Sequence, residues 1–483
     1  MRRNDTIAAI ATAPGRGGIA VVRIAGPDAF SIADKIWHGK KLSDCKSHTA
    51  HLGNIVDLAT GEILDQAVAT VFKAPGSYTG DDTVELSIHG SPYVQSQLLK
   101  ILIDSGCRLA EPGEYTRRAF ISGHLDLAEA EAVADLISAS SRSSHRIALN
   151  QMRGKLSETL ADLRTRLLKL SSLIELELDF SEEDVTFASR AELREVTSGI
   201  IEILQRLTDS FSTAKAIREG VPMAIVGAPN AGKSTLLNTL ANDERAIVSP
   251  IAGTTRDTVE DIVEIAGTTF RLIDTAGLRS DPADEIEAIG INRTVKAIKK
   301  ASIVIWVVDP SEPEAIYESS KAILESLQPD STLILAINKA DILPPPHKKL
   351  NEILAKVGAG EKALEIFNIS ATTPEGIIPL TDYLKNTIDP SLLESALLTN
   401  SRHYQAASAA LESMKSVGRG LGLKDSEKRQ NSAPENEYSA ESLTLDLVAL
   451  DLRAAIHHLG EITGAITTPE VLASIFSSFC IGK

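Results

Sequence analysis

The chain is poor in several things that would each define a class of protein. Only three of its 483 residues are cysteines. Cys45, Cys107 and Cys480 show no CxxC spacing and have no histidines at zinc-site spacing, which excludes a disulfide framework and points to a reducing compartment. Positive charge is in deficit. A formal net charge of −16 argues against bulk attraction to a polyanion, so any RNA contact must use a local basic patch. Uninterrupted apolar runs long enough to span a bilayer are absent, and no membrane partner is expected. Arg2 and Arg3 precede a short apolar stretch, residues 6–13, that resembles a signal peptide. It is too short, Asp5 interrupts its charged flank, and Pro14-Gly15-Arg16-Gly17-Gly18 follows at once. It reads as a first strand and turn, and the expected location is the cytoplasm.

What is present is the balance of a soluble globular protein, 43% hydrophobic and 24% charged, in a chain long enough for two to four domains. Residues 1–119 alternate β-like runs (19–24, 68–72, 84–88) with turn signals and one helical run near 94–103, which predicts an α+β domain. From about residue 126 the period becomes helical. Leu156, Leu160, Leu163, Leu167, Leu170 and Ile174 form one apolar stripe, and Leu193, Val196, Ile200, Ile203 and Leu207 a second. Residues 221–387 read as strand–loop–helix alternation with apolar runs at 223–226, 270–273, 303–308 and 333–337. Helical spacing returns with Leu411, Met414, Val417 and Leu421, then Leu443, Leu447 and Leu450. The polar stretch 424–442 between them reads as a mobile loop. Two helical blocks around an α/β block suggest an insertion, with separate bundles as the alternative. The expected domains are 1–119, 120–218, 219–387 and 388–483.

Gly227-Ala228-Pro229-Asn230-Ala231-Gly232-Lys233-Ser234 fits GxxxxGK[ST], after an apolar strand and before a helix that includes Thr235. The glycines let N–H groups converge on phosphate oxygens, Lys233 suits the β- and γ-phosphates, and Ser234 suits Mg²⁺. Three further elements follow in order. Gly253-Thr254-Thr255 supplies Thr255 as a second Mg²⁺ hydroxyl. Asp274-Thr275-Ala276-Gly277 ends a strand; Asp274 would act through the metal's outer shell and Gly277 through its N–H on the γ-phosphate. Asn338-Lys339-Ala340-Asp341 closes another strand, where the Asp341 carboxylate can accept from guanine N1 and its 2-amino group, neither of which adenine offers. Ser370-Ala371 is where a backbone N–H could meet guanine O6. Each motif alone could be a turn; four in order on strand ends specify a GTP site. Leu278 stands where signalling GTPases place a water-orienting glutamine, so that group must come from elsewhere.

With these residues, the chain resembles the bacterial tRNA-modifying GTPase family MnmE (TrmE), from end to end. The resemblance is carried by Asp5-Thr6-Ile7-Ala8-Ala9-Ile10-Ala11-Thr12 with the following Pro14–Gly18 turn, by Thr79-Gly80-Asp81-Asp82 with Glu85 and His89-Gly90, and by Pro112-Gly113-Glu114-Tyr115 through Arg118-Ala119-Phe120 and Leu125-Asp126-Leu127. The ending Phe479-Cys480-Ile481-Gly482-Lys483 completes it. It implies an N-terminal folate-binding-like domain, a helical domain from both flanking blocks, and an inserted P-loop, Ras-like GTPase domain with a mixed sheet. It further implies a homodimer, a flavoprotein partner (MnmG, or GidA), and the addition of a carboxymethylaminomethyl or aminomethyl group to C5 of the wobble uridine of certain tRNAs. GTP, Mg²⁺, K⁺ and a 5-formyl- or methylene-tetrahydrofolate would be required.

By the same resemblance, K⁺ is held by Asn230, Ser249, Ile251 and Thr254 within a nucleotide loop that includes Pro250, Ala252 and Gly253. The water-positioning glutamate falls on Glu287, and the folate positions on Arg23, Glu85, His124 and Lys483. His124 stands where the family carries lysine, and a neutral imidazole weakens a charge contact while keeping a hydrogen bond. Cys480 has three readings: a buried small hydrophobe, a prenylation site, or a chemical participant. Gly482, Lys483 and the lack of a polybasic stretch argue against prenylation, and the resemblance favours catalysis over burial. The rival class is an Era-like regulatory or ribosome-assembly switch without covalent chemistry. Such proteins share the nucleotide motifs but lack the N-terminal and C-terminal signatures. A folate-dependent methyltransferase-like enzyme with an accessory GTPase is a third reading.

Overall fold

The computed structural model describes residues 5–179, 189–242, 261–265, 267–273, 287–344, 348–356, 364–387, 395–423 and 445–482. The chain divides into two compact units, residues 1–134, 151–201 and 406–483 in one and 135–150 and 202–405 in the other.

The first unit opens with a seven-stranded sheet: β1 (Ile7–Ile10), β2 (Ile19–Ala25), β3 (Trp37–His38), β4 (Thr49–Val56), β5 (Ile63–Phe72), β6 (Thr83–His89) and β7 (Arg108–Leu109), in the order β3-β4-β5-β6-β2-β1-β7. All pairings are antiparallel except β1 with β7. Most of its strands alternate between a buried and a more open face, while Ile7 and Ala9 of β1 and Ala25 of β2 are buried on the second face with Ala110 and Tyr115. Val22 and Ile24 of β2 and Val84, Leu86 and Ile88 of β6 join one core with Leu98 and Leu102 of the helix Pro92–Asp104 and Ile32 and Ile36 of the helix Ala29–Ile36. Burial of each such side chain stabilises by about 1.5–3 kcal/mol. The intervening residues face the other way, and the register sets Arg23 directly across from Glu85.

The same unit contains the long helix Lys155–Asp179, packed on the helix Leu445–Thr463. The stripe Leu156, Leu160, Leu163, Leu167, Leu170 and Ile174 is buried as its spacing predicts. Two other stripes differ from expectation. Along the helix Arg190–Glu219, Val196 is 42% exposed and Ile203 only half-buried, whereas Leu193, Thr197, Ile200, Leu204 and Leu207 are buried. Thr197 can occupy a core position because its hydroxyl donates to Leu193 O at 2.7 Å, leaving no unsatisfied polar group. On the helix Leu445–Thr463, Leu447 and Leu450 are exposed, and the buried face is Val448, Leu452, Ala455 and Leu459. Leu443 and the polar stretch around it lie outside the described residues.

The second unit is built on a six-stranded sheet: β8 (Val221–Val226), β9 (Asp261–Ile265), β10 (Thr268–Leu272), β11 (Ile303–Val308), β12 (Thr332–Ile337) and β13 (Leu364–Asn368). The order is β13-β12-β11-β8-β10-β9, parallel throughout except for the β9–β10 hairpin. The central strands read as continuous apolar runs because both faces are covered. Met223, Ile225, Ile305 and Val307 point into one core; Ala224, Val226, Val304, Trp306 and Val308 into the other. Chain order reverses between β8, flanked by β10, and β11. The loops leaving the carboxyl ends of these strands therefore border a crevice of the kind that receives ligands in open α/β sheets.

Candidate nucleotide and N-terminal sites

The loop after β8 leads into the helix Lys233–Asn242. Gly227 has φ +147°, and a Cβ there would lie 2.1 Å from Val307 O. Gly232 has φ +99°, and its Cβ would lie 2.1 Å from Asn338 Nδ2. Glycine is thus required twice, once by the neighbouring strand and once by the Asn338 side chain. Asn230 takes the left-handed conformation between them, φ +59°. The Lys233 ammonium folds back over the loop and donates to Ala228 O at 2.8 Å, and burial pulls its pKa down. Ser234 and Thr235 follow in the first helical turn, both exposed. The arrangement meets the needs of a nucleotide phosphate: a closed loop of main chain, an adjacent cation and a helix N-terminus.

Asn338, 4% exposed, joins two loops. Its Nδ2 donates to Ala231 O at 2.9 Å, and its Oδ1 accepts from Ala371 N at 2.9 Å. Its side chain is therefore a staple between the phosphate loop and the 370–371 loop. The N–H groups proposed for guanine O6 are both engaged within the protein: Ala371 N with Asn338, Ser370 N with Gly376 O at 3.0 Å. Ala340 N donates to Ile369 O, and Asp341 is exposed at the rim. Lys339 has φ +61°, which costs a residue with a side chain about 1–2 kcal/mol. Its ammonium pairs with Asp309, a residue that the sequence reading passed over. Burial pushes the Asp309 carboxyl up, but Lys339 and Ser311 outweigh it and hold it below the ordinary carboxylate range. The visible signal was an acid closing the all-apolar run 303–308 immediately before Pro310.

Ser249, Pro250, Ile251, Ala252, Gly253, Thr254 and Thr255 lie outside the described residues, as do Asp274, Thr275, Ala276, Gly277 and Lys483. Glu287 is the first residue of the helix Glu287–Lys300, and its side chain also lies outside them.

In the first unit Arg23 and Glu85 form an ion pair, with Nε and Nη2 each 2.8 Å from Glu85 Oε1. The guanidinium lies 5.3 Å from the Tyr115 ring centroid and 5.8 Å from that of Tyr78, and the Tyr115 hydroxyl donates to Arg23 O at 2.8 Å. His124 is held by Ser122 Oγ at 2.9 Å and Pro75 O at 3.0 Å. The chain end reaches the same structure. Ile481 bridges Pro112, Gly113 N donates to Cys480 O at 3.3 Å, and a Cβ on Gly482 would lie 2.2 Å from Ile10 O. Two residues along from Gly113, Tyr115 touches Arg23. Cys480 is exposed, unlike the buried Cys45 and Cys107, so its thiol is not a core hydrophobe.

A nucleotide loop after the first strand of a six-stranded, mostly parallel sheet, stapled to an Asn-Lys-x-Asp loop, defines a P-loop GTPase. Comparison with known proteins narrows this. The profile "GTP-binding protein TrmE N-terminus" matches residues 6–124, and "MnmE helical domain" matches residues 127–480. A protein named tRNA modification GTPase MnmE from Christiangramia forsetii is 44% identical over 496 residues, covering 100% of both chains. Another of the same name, from Parabacteroides distasonis, is 46% identical and covers 99% of this chain and 100% of its own. Solved structures that match include the G domain of the T. maritima FeoB iron transporter, 27% identical, covering 34% of this chain and 94% of that one at TM-score 0.24. The chain belongs to the MnmE (TrmE) family.

Proposed function

We propose that this chain is a GTP-hydrolysing enzyme of tRNA modification, which works with a flavoprotein to build an aminomethyl-type group on C5 of the wobble uridine. The observation that carries the reading is the docking of the C-terminal Cys-Ile-Gly segment on Pro112-Gly113, two residues before the Tyr115 that contacts Arg23, in a chain that also holds a formed phosphate loop. A switch without covalent chemistry has no need of an exposed cysteine anchored against a second site. The full-length likeness to proteins named tRNA modification GTPase supports the same reading.

The nucleotide would sit with its phosphates over 227–234 and its base against Asp341. Mg²⁺ would be held by Ser234 and Thr255, and K⁺ by Asn230 with oxygens of Ser249, Ile251 and Thr254. These are hard oxygen donors, as both cations require. Potassium would supply positive charge where the phosphoryl charge develops, and Glu287 would orient water. Asn230, held left-handed at the tip of the loop, is in keeping with a side chain directed by its backbone.

The tetrahydrofolate carrier would supply a one-carbon unit at Arg23, Glu85, His124 and Lys483. The fit is chemical: the Glu85 carboxylate can accept N–H groups of a pterin-like ring, and the Arg23 guanidinium lies close to two aromatic rings. Cys480 would then serve as a nucleophile towards uridine. Dimerisation through the N-terminal sheet is supported by the directly paired Leu52 and Val68, 67% and 38% exposed, with Ile63 62% exposed nearby on β5. No described helix is long and apolar enough to cross a membrane. We assign residues 1–119 to the folate-binding domain, 219–387 to the GTPase domain, and 120–218 with 388–483 to the helical domain. The reading is tested by GTP turnover in K⁺ and in Na⁺. It should be faster in K⁺, and Asn230→Ala should abolish the difference; equal rates in both salts remove the potassium assignment.

A further inference from the structure

Asp309 has no part in the reading above, yet its carboxylate is paired with the lysine of the base-recognition loop. It follows β11 immediately and is 5% exposed. Its Oδ1 accepts from Ser311 N at 2.9 Å and from Ser311 Oγ at 2.6 Å, while Oδ2 pairs with the Lys339 ammonium. A buried carboxylate needs such partners, and removing its cation would leave the charge uncompensated.

Lys339 in turn stands between a fixed residue and a presented one. Before it, Asn338 is buried and stapled to both neighbouring loops. Two residues after it, Asp341 is exposed. Between them the chain turns: Ile342 N and Leu343 N both donate to Lys339 O, at 3.0 and 2.9 Å, and Ala340 N donates to Ile369 O. The turn depends on the left-handed backbone of Lys339, a conformation an L-residue keeps only when its surroundings impose it. Among the described residues, the carboxylate that forms an ion pair with that side chain is Asp309.

We propose that Asp309 is a positioning residue for base recognition, acting through Lys339 to hold the turn that presents Asp341 to the nucleotide. The proposal rests on the reading of Asp341 as the guanine acceptor. It places the effect of Asp309 on nucleotide binding and base discrimination, with the hydrolytic step left to the phosphate loop and switches. Substitution by asparagine keeps the shape and an oxygen for Ser311 but turns an amide donor or a neutral oxygen towards the ammonium.

The test is steady-state hydrolysis of GTP and XTP by the full-length protein carrying Asp309→Asn, Lys339→Ala, both changes, or Asp341→Asn. Asp309→Asn and Lys339→Ala should each raise KM for GTP about tenfold, which corresponds to about 1.4 kcal/mol, with kcat retained. The double variant should be no worse than either single one, because both remove the same link. An unchanged KM in Asp309→Asn, a loss in kcat alone, or additive effects in the double variant would overturn the proposal. Asp341→Asn should exchange the preference from GTP to XTP, since an amide can pair with the 2-oxo group of xanthine. If it does while Asp309→Asn changes nothing, the positioning role fails and the base-reading role stands; if GTP is still preferred, the base-reading role itself fails.

Discussion

The two sheets of this protein solve different problems. The second-unit sheet is mostly parallel and its central strands are covered on both faces, which leaves the loops at the carboxyl ends of β8, β11 and β12 to meet a ligand. The first-unit sheet is largely antiparallel with its main core on one face, so polar side chains such as the paired Arg23 and Glu85 can stand on the strands themselves. A site on loops can change with its ligand; a site on paired strands is set by register. On the function proposed above, the loop site would suit switching and the strand site would suit holding a carrier.

The largest expected break in this comparison is Lys233→Ala. It should lower GTP turnover on the order of a hundredfold or more, because it removes the cation at the phosphates, while folate binding measured by calorimetry stays unchanged. The converse variant, Arg23→Ala, should weaken tetrahydrofolate binding about ten- to a hundredfold with GTP turnover intact. Asn338→Ala should leave Ala231 O and Ala371 N without their partner, costing about 1–3 kcal/mol each way the loss is relieved, visible as a lower Tm that added GDP only partly restores.

Gly482→Ala places a Cβ against Ile10 O at a backbone angle of φ +96°. It should displace the chain end, reducing tRNA modification while leaving GTP hydrolysis unaltered. The smallest effect is a pH dependence. Burial pushes the Glu114 carboxyl up, but Arg108, the Glu111 N–H and Arg118 outweigh it and hold it below the usual range. Its contribution is therefore present above the ordinary glutamate pKa of about 4.3 and is lost as pH falls through the lowered value. Acid titration followed by circular dichroism should show first-unit stability falling below about pH 4, with Glu114→Gln flattening that fall.

The comparison also explains what could be read in advance. β11 and β12 were legible because a strand buried on both faces is an unbroken apolar run, and the P-loop because its glycines are fixed by chemistry. β4 escaped because His51, Gly53 and Asn54 interrupt its apolar pattern, although its ladder with β5 is long. On the helix Arg190–Glu219 the expected stripe holds at Leu193, Ile200 and Leu207 but falls one residue early at Val196 and Ile203; Thr197 takes the first of these core positions because its hydroxyl is satisfied on the helix's own carbonyl. The nucleotide motifs could be read as contacts, yet the use of Asn338 as a staple and the Asp309–Lys339 pair depend on residues distant in sequence. The placement of Cys480 beside Gly113 depends on the fold for the same reason, since the two are joined only by tertiary pairing.

The central claim is that both sites serve one modification of tRNA. The most direct measurement is mass-spectrometric nucleoside analysis of tRNA from cells lacking this chain, complemented either with the natural sequence or with Lys233→Ala. Without the chain, and with Lys233→Ala, the wobble uridine should lack its C5 aminomethyl-type group, and the natural sequence should restore it. A wobble uridine fully modified in the absence of this chain would contradict the account.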